Sequence, residues 1–238
     1  MSRSRLVRRA AICAATVLLA IPALASTASA SSGRNPVVGL GQRTAGQTYG
    51  QWSAAWWQWA ASIPQGRSPL FDDTGDHCDQ AQQGPVWFLA GSFAAVPVSS
   101  GFAATATRRC EVPGGRSLFF PILNAEADNL CPVANPPATV HGLRQQVAAL
   151  LAPKTTVTAD LDGVPIRNVD DYRAASPAFT ITYPAHNICP TTPGSSVAVA
   201  DGYYLMLKPL SPGAHTLHFV GTIPGFSLDI TYHLRIDD

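Results

Sequence analysis

The chain has 238 residues, with 16 basic and 15 acidic side chains and a formal net charge of +1 at pH 7. This balance argues against a nucleic-acid-binding protein and against attachment to an anionic membrane, because both would require an excess of basic residues on the protein surface. A chain of this length is enough for one domain with a full core. Its 20 prolines and 19 glycines suit many short strands joined by turns.

The first thirty residues have the pattern of a secretory signal peptide. Four arginines within the first nine positions precede an apolar run, Ala10–Leu24, and small residues occupy Ala28 and Ala30. The run is too short for a membrane anchor. We therefore expect cleavage after Ala30 and export. Losing the four arginines leaves 12 basic against 15 acidic residues in the mature chain.

Residues 31–47 are polar and glycine-rich, and they predict a flexible N-terminal arm ahead of a single β-rich domain over residues 48–238. The strongest helix signal follows this arm. Thr48 and Gln51 have the spacing of a capping box, and Pro64 ends the pattern. Between them an apolar stripe of helical period contains Trp52, Ala55, Trp56, Trp59, Ala60 and Ile63.

Four tryptophans lie within the eight residues of this predicted helix from Trp52 to Trp59. A tryptophan stripe at helical spacing indicates a helix buried against a sheet, where each indole removes about 200 Å² from water. Trp57 lies off the centre of the stripe. Because exposed indoles stack on sugar rings, Trp57 is the candidate ligand-binding residue.

Four cysteines remain after removal of the leader, and an even number in an oxidising compartment favours two disulfides. Of the three possible pairings we expect Cys78–Cys110 and Cys131–Cys189, because the alternatives would tie the early hairpins to the late strands. A zinc site is the less favoured reading, since the sequence has no C-x-x-C spacing.

Alternation of apolar and polar residues predicts a mainly β fold, an antiparallel β-sandwich of which the jelly roll is one form, with two short helices packed against it. Pro85–Ala90, Ala104–Cys110 and Leu118–Leu123 are strand candidates, and the turn at residues 113–115 would join the last two as a hairpin. The second helix is predicted at Val140–Ala152. Further strands are predicted at residues 156–161, 164–169, 179–183, 203–208, 215–220 and 230–236, with a type I′ turn at 162–163.

His218 and His233 lie on the polar faces of the last two predicted strands. In one hairpin register they lie directly across from each other, with Cβ atoms about 5 Å apart. At that distance the two imidazoles could bind a metal or act together in general acid–base catalysis. The neighbouring register places Thr231 opposite His218 and separates the pair.

The loop at residues 69–83 concentrates acidic residues beside a glycine and a cysteine: Asp72, Asp73, Asp76, His77 and Asp79. Oxygen ligands at this density can hold Ca²⁺, but the spacing is not that of an EF-hand, and aspartate and glycine also form ordinary turns. We predict no cofactor, with Ca²⁺ here or a histidine-bound metal as the weaker alternatives.

Asn124 and Glu126 follow the predicted strand Leu118–Leu123 and are the candidate catalytic residues. A carboxyl group at the end of a core strand can serve as acid or nucleophile in a glycosidase-like reaction. That chemistry needs a second carboxylate across a cleft, which the sequence does not identify. Asn124 and Asp128 are equally well explained as turn caps.

Four sequence blocks are distinctive: the tryptophan-rich segment YGQWSAAWWQWAASIP at 49–64, GPVWFLAG at 84–91, LFFPILN at 118–124 and LSPGAHTLH at 210–218. Together they resemble an uncharacterised family of exported bacterial proteins. The resemblance spans most of the mature chain. It implies a single exported domain and carries no activity, cofactor or mechanism with it.

Motifs of well-known enzymes are absent from the sequence: it contains no G-x-S-x-G, H-E-x-x-H, P-loop or G-x-G-x-x-G pattern. We therefore expect a non-enzymatic domain that binds a cell-envelope or extracellular ligand, with glycan as the leading class. The alternatives are an extracellular hydrolase that uses Glu126 or a His218/His233 site, and a structural or assembly protein. The sequence predicts no oligomeric state.

Overall fold

The structure is a computed structural model that describes residues 35–132, 136–151 and 155–238. The predicted signal peptide lies outside the described residues, as do the first four residues of the predicted arm. Within the described residues, no helix is long and apolar enough to cross a bilayer.

A β-sandwich with two helices forms the fold, as the alternation pattern predicts. The helices are α1 (Tyr49–Ser62) and α2 (Val140–Leu151). The strands are β1 (Val86–Phe88), β2 (Val96–Val98), β3 (Gly101–Val112), β4 (Ser117–Ala127), β5 (Thr156–Leu161), β6 (Val164–Pro165), β7 (Arg173–Ala175), β8 (Phe179–Tyr183), β9 (Gly194–Leu207), β10 (Gly213–Ile223) and β11 (Phe226–Ile236).

The first sheet has the strand order β1-β4-β9-β7, and β8 also pairs with β9. The second has the order β2-β3-β11-β10-β5-β6. Most pairs are antiparallel, but both sheets are mixed, because β1 pairs with β4 and β3 pairs with β11 in parallel.

The expected hairpin between β3 and β4 does not form. β3 pairs with β2 and with β11, whereas β4 pairs with β1 and β9 in the other sheet. Burial explains the separation: β4 is buried on both faces over residues 117–123, whereas β3 alternates buried and exposed residues. The turn at 113–115 therefore crosses from one sheet to the other, and Gly114 packs against the backbone of Asp237.

Two hydrophobic clusters cover the two faces of β4. One fills the space between the sheets and includes Phe120, Phe219 and Tyr232, whose rings stack in sequence. The other lies between α1 and the five-stranded sheet and includes Trp56 and Phe119. Burying one strand between two apolar layers accounts for its nearly continuous hydrophobic sequence.

The tryptophan helix begins as the sequence predicts, because both hydrogen bonds of the Thr48–Gln51 capping box are present. Three of its indoles donate to loop carbonyl groups and so fasten three loops to the helix. Trp52 donates to Thr44 at 3.0 Å, Trp56 to Leu89 at 2.9 Å and Trp59 to Gln80 at 2.8 Å. The tryptophan stripe is therefore a packing element, as the helical spacing indicates.

The described part of the predicted flexible arm, residues 35–47, is packed onto the domain. Val37 is buried and forms a bridge with Leu207, and the Val38 amide donates to Met206. Tyr49 reinforces this contact because its hydroxyl donates to the Val38 carbonyl at 2.6 Å. A free arm is the wrong description of these residues, since they extend the hydrogen bonding of β9.

Both expected disulfides are present. Cys78 is bonded to Cys110 and Cys131 to Cys189, with Cα–Cα distances of 5.8 and 6.0 Å. The first joins the aspartate-rich loop to β3. The second joins the segment after β4 to the segment after β8.

Both helices pack against strands of the five-stranded sheet. Along β3 and β11 the outward side chains remain exposed or half-buried, while their neighbours are buried. The outward face of the six-stranded sheet is therefore open among the described elements.

Candidate functional site

Trp57 is buried, with 6% of its surface exposed, so the prediction of an exposed ligand platform is wrong. Its ring meets Trp56 edge-on at 5.1 Å and lies 6.4 Å from the ring of Phe93. The loop after β1 thus covers the flank of α1 that the helical spacing leaves off the stripe. The helical spacing of apolar residues in α1 does not reveal that a loop from elsewhere in the chain covers this flank.

Asn124 and Glu126 point away from the core between the sheets because of an irregularity in β4. The register with β9 shifts between Pro121 and Leu123, and Ile122 and Leu123 both lie in the core between the sheets. Without this bulge, the alternation would direct Asn124 and Glu126 into that apolar core. The bulge instead brings Asn124 beside Tyr204 under the helix.

The Tyr204 hydroxyl is surrounded by Ser53, Asn124 and Trp57. Burial raises the pKa of Tyr204 to about 12, against the opposing influence of these three polar neighbours. None of the four polar groups meets another with the geometry of a hydrogen bond, and each has less than 1 Å² of accessible surface at its polar atom. The cluster is therefore a sealed part of the core, with no room for a ligand at those atoms.

Glu126 lies next to Asp128 at the end of β4. Burial, and then the charge of Asp128, raise the pKa of Glu126 to about 9, so the group holds a proton at neutral pH. Asp128 accepts hydrogen bonds from the Tyr183 hydroxyl at 2.7 Å and from the Cys131 amide at 3.0 Å. Asp128 is therefore a buried neighbour of Glu126 that holds Tyr183 and the segment leading to the second disulfide, and it is not the second carboxylate across a cleft that glycosidase chemistry requires.

The pairing register separates His218 from His233. His218 lies opposite Thr231, and His233 lies opposite Thr216. This is the neighbouring register that the sequence also allowed, so the two imidazoles do not face each other as a shared metal or acid–base site would require. Among the described residues, no three histidine, cysteine, aspartate or glutamate side chains are placed to hold a metal ion.

The aspartate-rich loop is organised by Asp72. Its carboxylate accepts hydrogen bonds from the amides of Thr74, Gly75 and His77 and from the Thr74 hydroxyl. Burial acts to raise the pKa of Asp72, but these hydrogen bonds outweigh it and lower the pKa to about 2. Gly75, at φ +103°, lies so close to the Arg109 backbone that a side chain would not fit.

Arg108 holds the same loop from below and is a residue that the sequence reasoning missed. It is fully buried, and its guanidinium donates to the carbonyls of Asp72 (2.6 Å), Ala90 (2.8 Å) and Gly91 (2.9 Å) and to the Tyr232 hydroxyl (2.8 Å). A signal for it did exist. Arg108 is in phase with Ala106 and Cys110 in the alternating strand, so the pattern itself places it inward.

Two shallow hollows flank this rigid loop and share Asp73. One, of about 570 Å³, lies between the loop and the segment after α1, and Phe71, Asp76, His77 and His186 are among its lining residues. The other, of about 420 Å³, lies on the open face of the six-stranded sheet and is lined by Asp73, Thr105, Ala106, Thr107, Asp229 and Thr231. We call the two hollows together the Asp73 groove. No lysine or arginine lines it.

A Ser–His–Asp arrangement occurs outside the groove. His215 Nδ1 lies 2.7 Å from Asp162 Oδ2, and its Nε2 lies 3.3 Å from the Ser211 hydroxyl. The same Nε2 lies closer, at 2.9 Å, to the Ser211 carbonyl oxygen. Because the Ser211 carbonyl oxygen is the nearer neighbour of Nε2 and can only accept, Nε2 donates to it and has no lone pair free to activate the serine. The arrangement fastens the turn before β10 to the turn after β5.

Comparisons of the chain with protein-family models, with curated proteins and with solved structures find no match.

Proposed function

We propose that this protein is an exported, non-enzymatic domain that binds a hydroxyl-rich ligand, a glycan, in the Asp73 groove. The observation that carries the proposal is the placement of Asp73. A loop fixed by a disulfide, by Arg108 and by the Asp72 carboxylate holds Asp73 between two adjoining hollows. Binding residues are commonly carried on loops that a rigid scaffold holds in place, because such loops lose little conformational entropy when the ligand binds.

The chemistry of the groove suits sugar hydroxyls. Carboxylates accept hydrogen bonds from hydroxyl groups, and threonine hydroxyls both donate and accept. Thr105, Thr107 and Thr231 lie in one hollow with Asp229, and Phe71 supplies an aromatic ring to the other. The shallow open form of the groove favours a chain that lies along the sheet over a small molecule that needs enclosure.

Export is part of the proposal. Two disulfides are the bonds expected of a protein that folds in an oxidising compartment. The arginine-rich N-terminal segment, with small residues at its end, is the predicted signal peptide that would direct this export.

The hydrolase alternative has less support. Glu126 carries a proton suitable for acid catalysis, but its Oε1 atom is enclosed, as is the amide nitrogen of Asn124. A substrate would have to displace α1 to reach Asn124, because Ser53 and Trp57 of that helix surround the same Tyr204 hydroxyl. The assembly alternative has one observation in its favour, the exposed apolar side chains of Val96, Val98 and Phe102 at the β2 edge. Sedimentation of the purified domain tests that alternative directly.

Titration calorimetry with neutral hexasaccharides tests the binding proposal. The probes are cellohexaose, xylohexaose and chitohexaose, which present hydroxyl groups on three different β-1,4-linked backbones. We expect at least one to bind, and Asp73→Asn and Thr231→Val each to weaken it by about tenfold, or about 1.4 kcal/mol. Asp73→Asn replaces one oxygen of a charged acceptor by a donor, and Thr231→Val removes a hydroxyl group.

Two substitutions of the same types elsewhere on the surface serve as matched controls. Asp170→Asn and Thr192→Val change exposed residues outside the groove and should leave the affinity unchanged. If no hexasaccharide binds, or if the control substitutions weaken binding as much as those in the groove, the proposal is wrong.

A further inference from the structure

A line of side-chain hydrogen bonds crosses three strands on the open face and ends in the groove. His218 on β10 lies between Asp160 on β5 and Asp229 on β11. Its Nδ1 is 3.0 Å from Asp160 Oδ2, and its Nε2 is 2.9 Å from Asp229 Oδ1. Asp229 also lines the 420 Å³ hollow, so the line connects His218 to the ligand site.

The pairing registers make this contact a consequence of the sheet. Asp160 lies directly opposite His218 on one side, and Thr231 lies opposite it on the other. Asp229 is the diagonal neighbour, two residues before Thr231, and long side chains reach across such a diagonal. The second oxygen of Asp229, Oδ2, makes no hydrogen bond within the described residues and is free to accept one from a ligand.

The two contacts require a proton on each nitrogen of the imidazole. A neutral ring can donate on one side only and would then present a lone pair to a carboxylate about 3 Å away. The side chain of Asp160 is 29% exposed and that of Asp229 is 55% exposed, so Asp229 is the partner that can turn away into solvent. Loss of the proton would therefore release Asp229 and leave His218 bonded to Asp160.

The charged surroundings of His218 favour the doubly protonated ring. Burial acts to lower the pKa of His218, but hydrogen bonds with Asp229 and Asp160, and their charges, outweigh it and raise the pKa above its ordinary value. Other charged or titratable groups on this face include Asp73, which lines the same hollow as Asp229, and His233 on β11, opposite Thr216. Arg109 on β3 is paired with His233, and Asp162 after β5 contacts His215. On β3, the strand beyond β11, the residue in line with His218 is the uncharged Thr107.

We propose that His218 is a positioning residue of the Asp73 groove: in its protonated form it fixes the Asp229 carboxylate so that the free oxygen accepts a hydrogen bond from a ligand hydroxyl. Ligand affinity then falls as His218 becomes neutral. The inference rests on the proposed function, because it assigns to Asp229 a role in the binding of the same glycan.

The test measures the affinity of the protein for a hexasaccharide as a function of pH. The probe is whichever of cellohexaose, xylohexaose and chitohexaose binds the wild-type protein most tightly, and its dissociation constant is measured from pH 5.5 to 9. We expect the constant to be level at low pH and to rise about tenfold as His218 loses its proton, which corresponds to one lost hydrogen bond. The imidazole resonances of His218 in NMR spectra should titrate with the same midpoint.

Three variants separate positioning from a general effect on the fold. His218→Gln should bind about tenfold more weakly than the wild type at pH 5.5 and lose the pH dependence. Asp160→Asn should keep the binding at pH 5.5 but move the fall to lower pH, because it removes one of the two carboxylates that hold the proton. His233→Gln, on the same face but outside the groove, should behave as the wild type.

The outcomes distinguish the inference from the proposed function. If the wild type binds but the affinity does not change with pH, or changes with a midpoint different from that of His218, the positioning role is overturned and glycan binding stands. The same holds if His218→Gln remains folded by NMR and binds as tightly as the wild type. If no hexasaccharide binds the wild type, both proposals fail together.

Discussion

Glu126 is a carboxyl group that keeps its proton well above the pH at which an exposed glutamate loses it. Its pKa is raised from 4.5 to about 9 by burial and by Asp128. Between these two values the folded protein binds a proton that the unfolded chain releases. The contribution of Glu126 to the free energy of unfolding is therefore fully present below about pH 4.5 and is lost progressively as the pH rises through 9.

Replacing Glu126 by glutamine removes this titration and keeps a neutral side chain of the same shape. We expect Glu126→Gln to unfold at a temperature about 4–8 °C higher than the wild type at pH 8, where a gain of about 2 kcal/mol shifts a domain of this size by that amount. Near pH 4.5 the two proteins should be alike. Thermal denaturation followed by circular dichroism at a series of pH values measures the difference.

The exposed Glu111 offers a matched control for this prediction. Glu111→Gln should leave the pH profile of the wild type unchanged. A Glu126→Gln protein that unfolds at a lower temperature than the wild type at pH 8 would show that the Glu126 carboxyl is ionised in the fold and stabilises it.

Individual residues also mark where sequence reasoning succeeds and fails. The cysteine pairing and the helix cap were predictable because each depends on residues close in sequence or on a small number of alternatives. The burial of Trp57 was not, because the residue that covers it, Phe93, lies 36 positions later in a loop without periodicity. Arg108 was identifiable in principle from its phase in β3, but its acceptors are carbonyls of distant loops that no pattern reveals.

At the scale of elements, the sequence predicts which segments are strands better than which strands pair. Both helices and most of the alternating strands after residue 156 are found near their expected positions. The strand predicted at 164–169 is wrong in its extent, because only Val164–Pro165 pairs with β5 and Val169–Asp171 forms a 3-10 turn. The partition into two sheets depends on long-range burial, and the turn at 113–115 fits a hairpin and a crossover equally well. The β4 bulge shifts Asn124 and Glu126 to the other face, and a change of one residue in register suffices to do so.

The loop from Asp72 to His77 is an element whose order depends on one carboxylate. Asp72→Asn removes the charged acceptor shared by three backbone amides, and hydrogen bonds to charged groups are among the stronger ones. We expect the amides of Gly75 and His77 to exchange with solvent at least about tenfold faster in this variant. Hydrogen exchange followed by NMR gives the rates residue by residue.

The same loop should loosen in the wild type at low pH. Its Asp72 pKa is lowered from 3.8 to about 2, so the stabilisation is present above pH 3.8 and is lost as the pH falls through 2. Asp76→Asn is the control, because the Asp76 side chain is exposed and accepts none of these bonds. Unchanged exchange at Gly75 and His77 in Asp72→Asn would mean that the disulfide and Arg108 alone order the loop.

On the scale of the whole molecule, the two disulfides hold different segments around the proposed binding groove. The loop that carries Asp73 is attached to the core through Cys78–Cys110 and Arg108. The second disulfide lies after β4 and β8, and neither of its cysteines lines the groove, although His186, three residues before Cys189, lines the hollow beside the segment after α1. Loss of the second disulfide should therefore affect ligand binding less than loss of the first.

Removing each disulfide separately tests this division. Cys131→Ala/Cys189→Ala and Cys78→Ala/Cys110→Ala open loops with sequence separations of 58 and 32 residues, and chain entropy assigns each bond about 4 kcal/mol. We therefore expect similar losses of stability in urea denaturation. The variant that lacks Cys78–Cys110 should lose more affinity for the hexasaccharide, because its loop presents Asp73 to both hollows. Equal losses of affinity in the two variants would show that the groove depends on overall stability, and a loss confined to Cys131→Ala/Cys189→Ala would show that the ligand does not depend on the loop that carries Asp73.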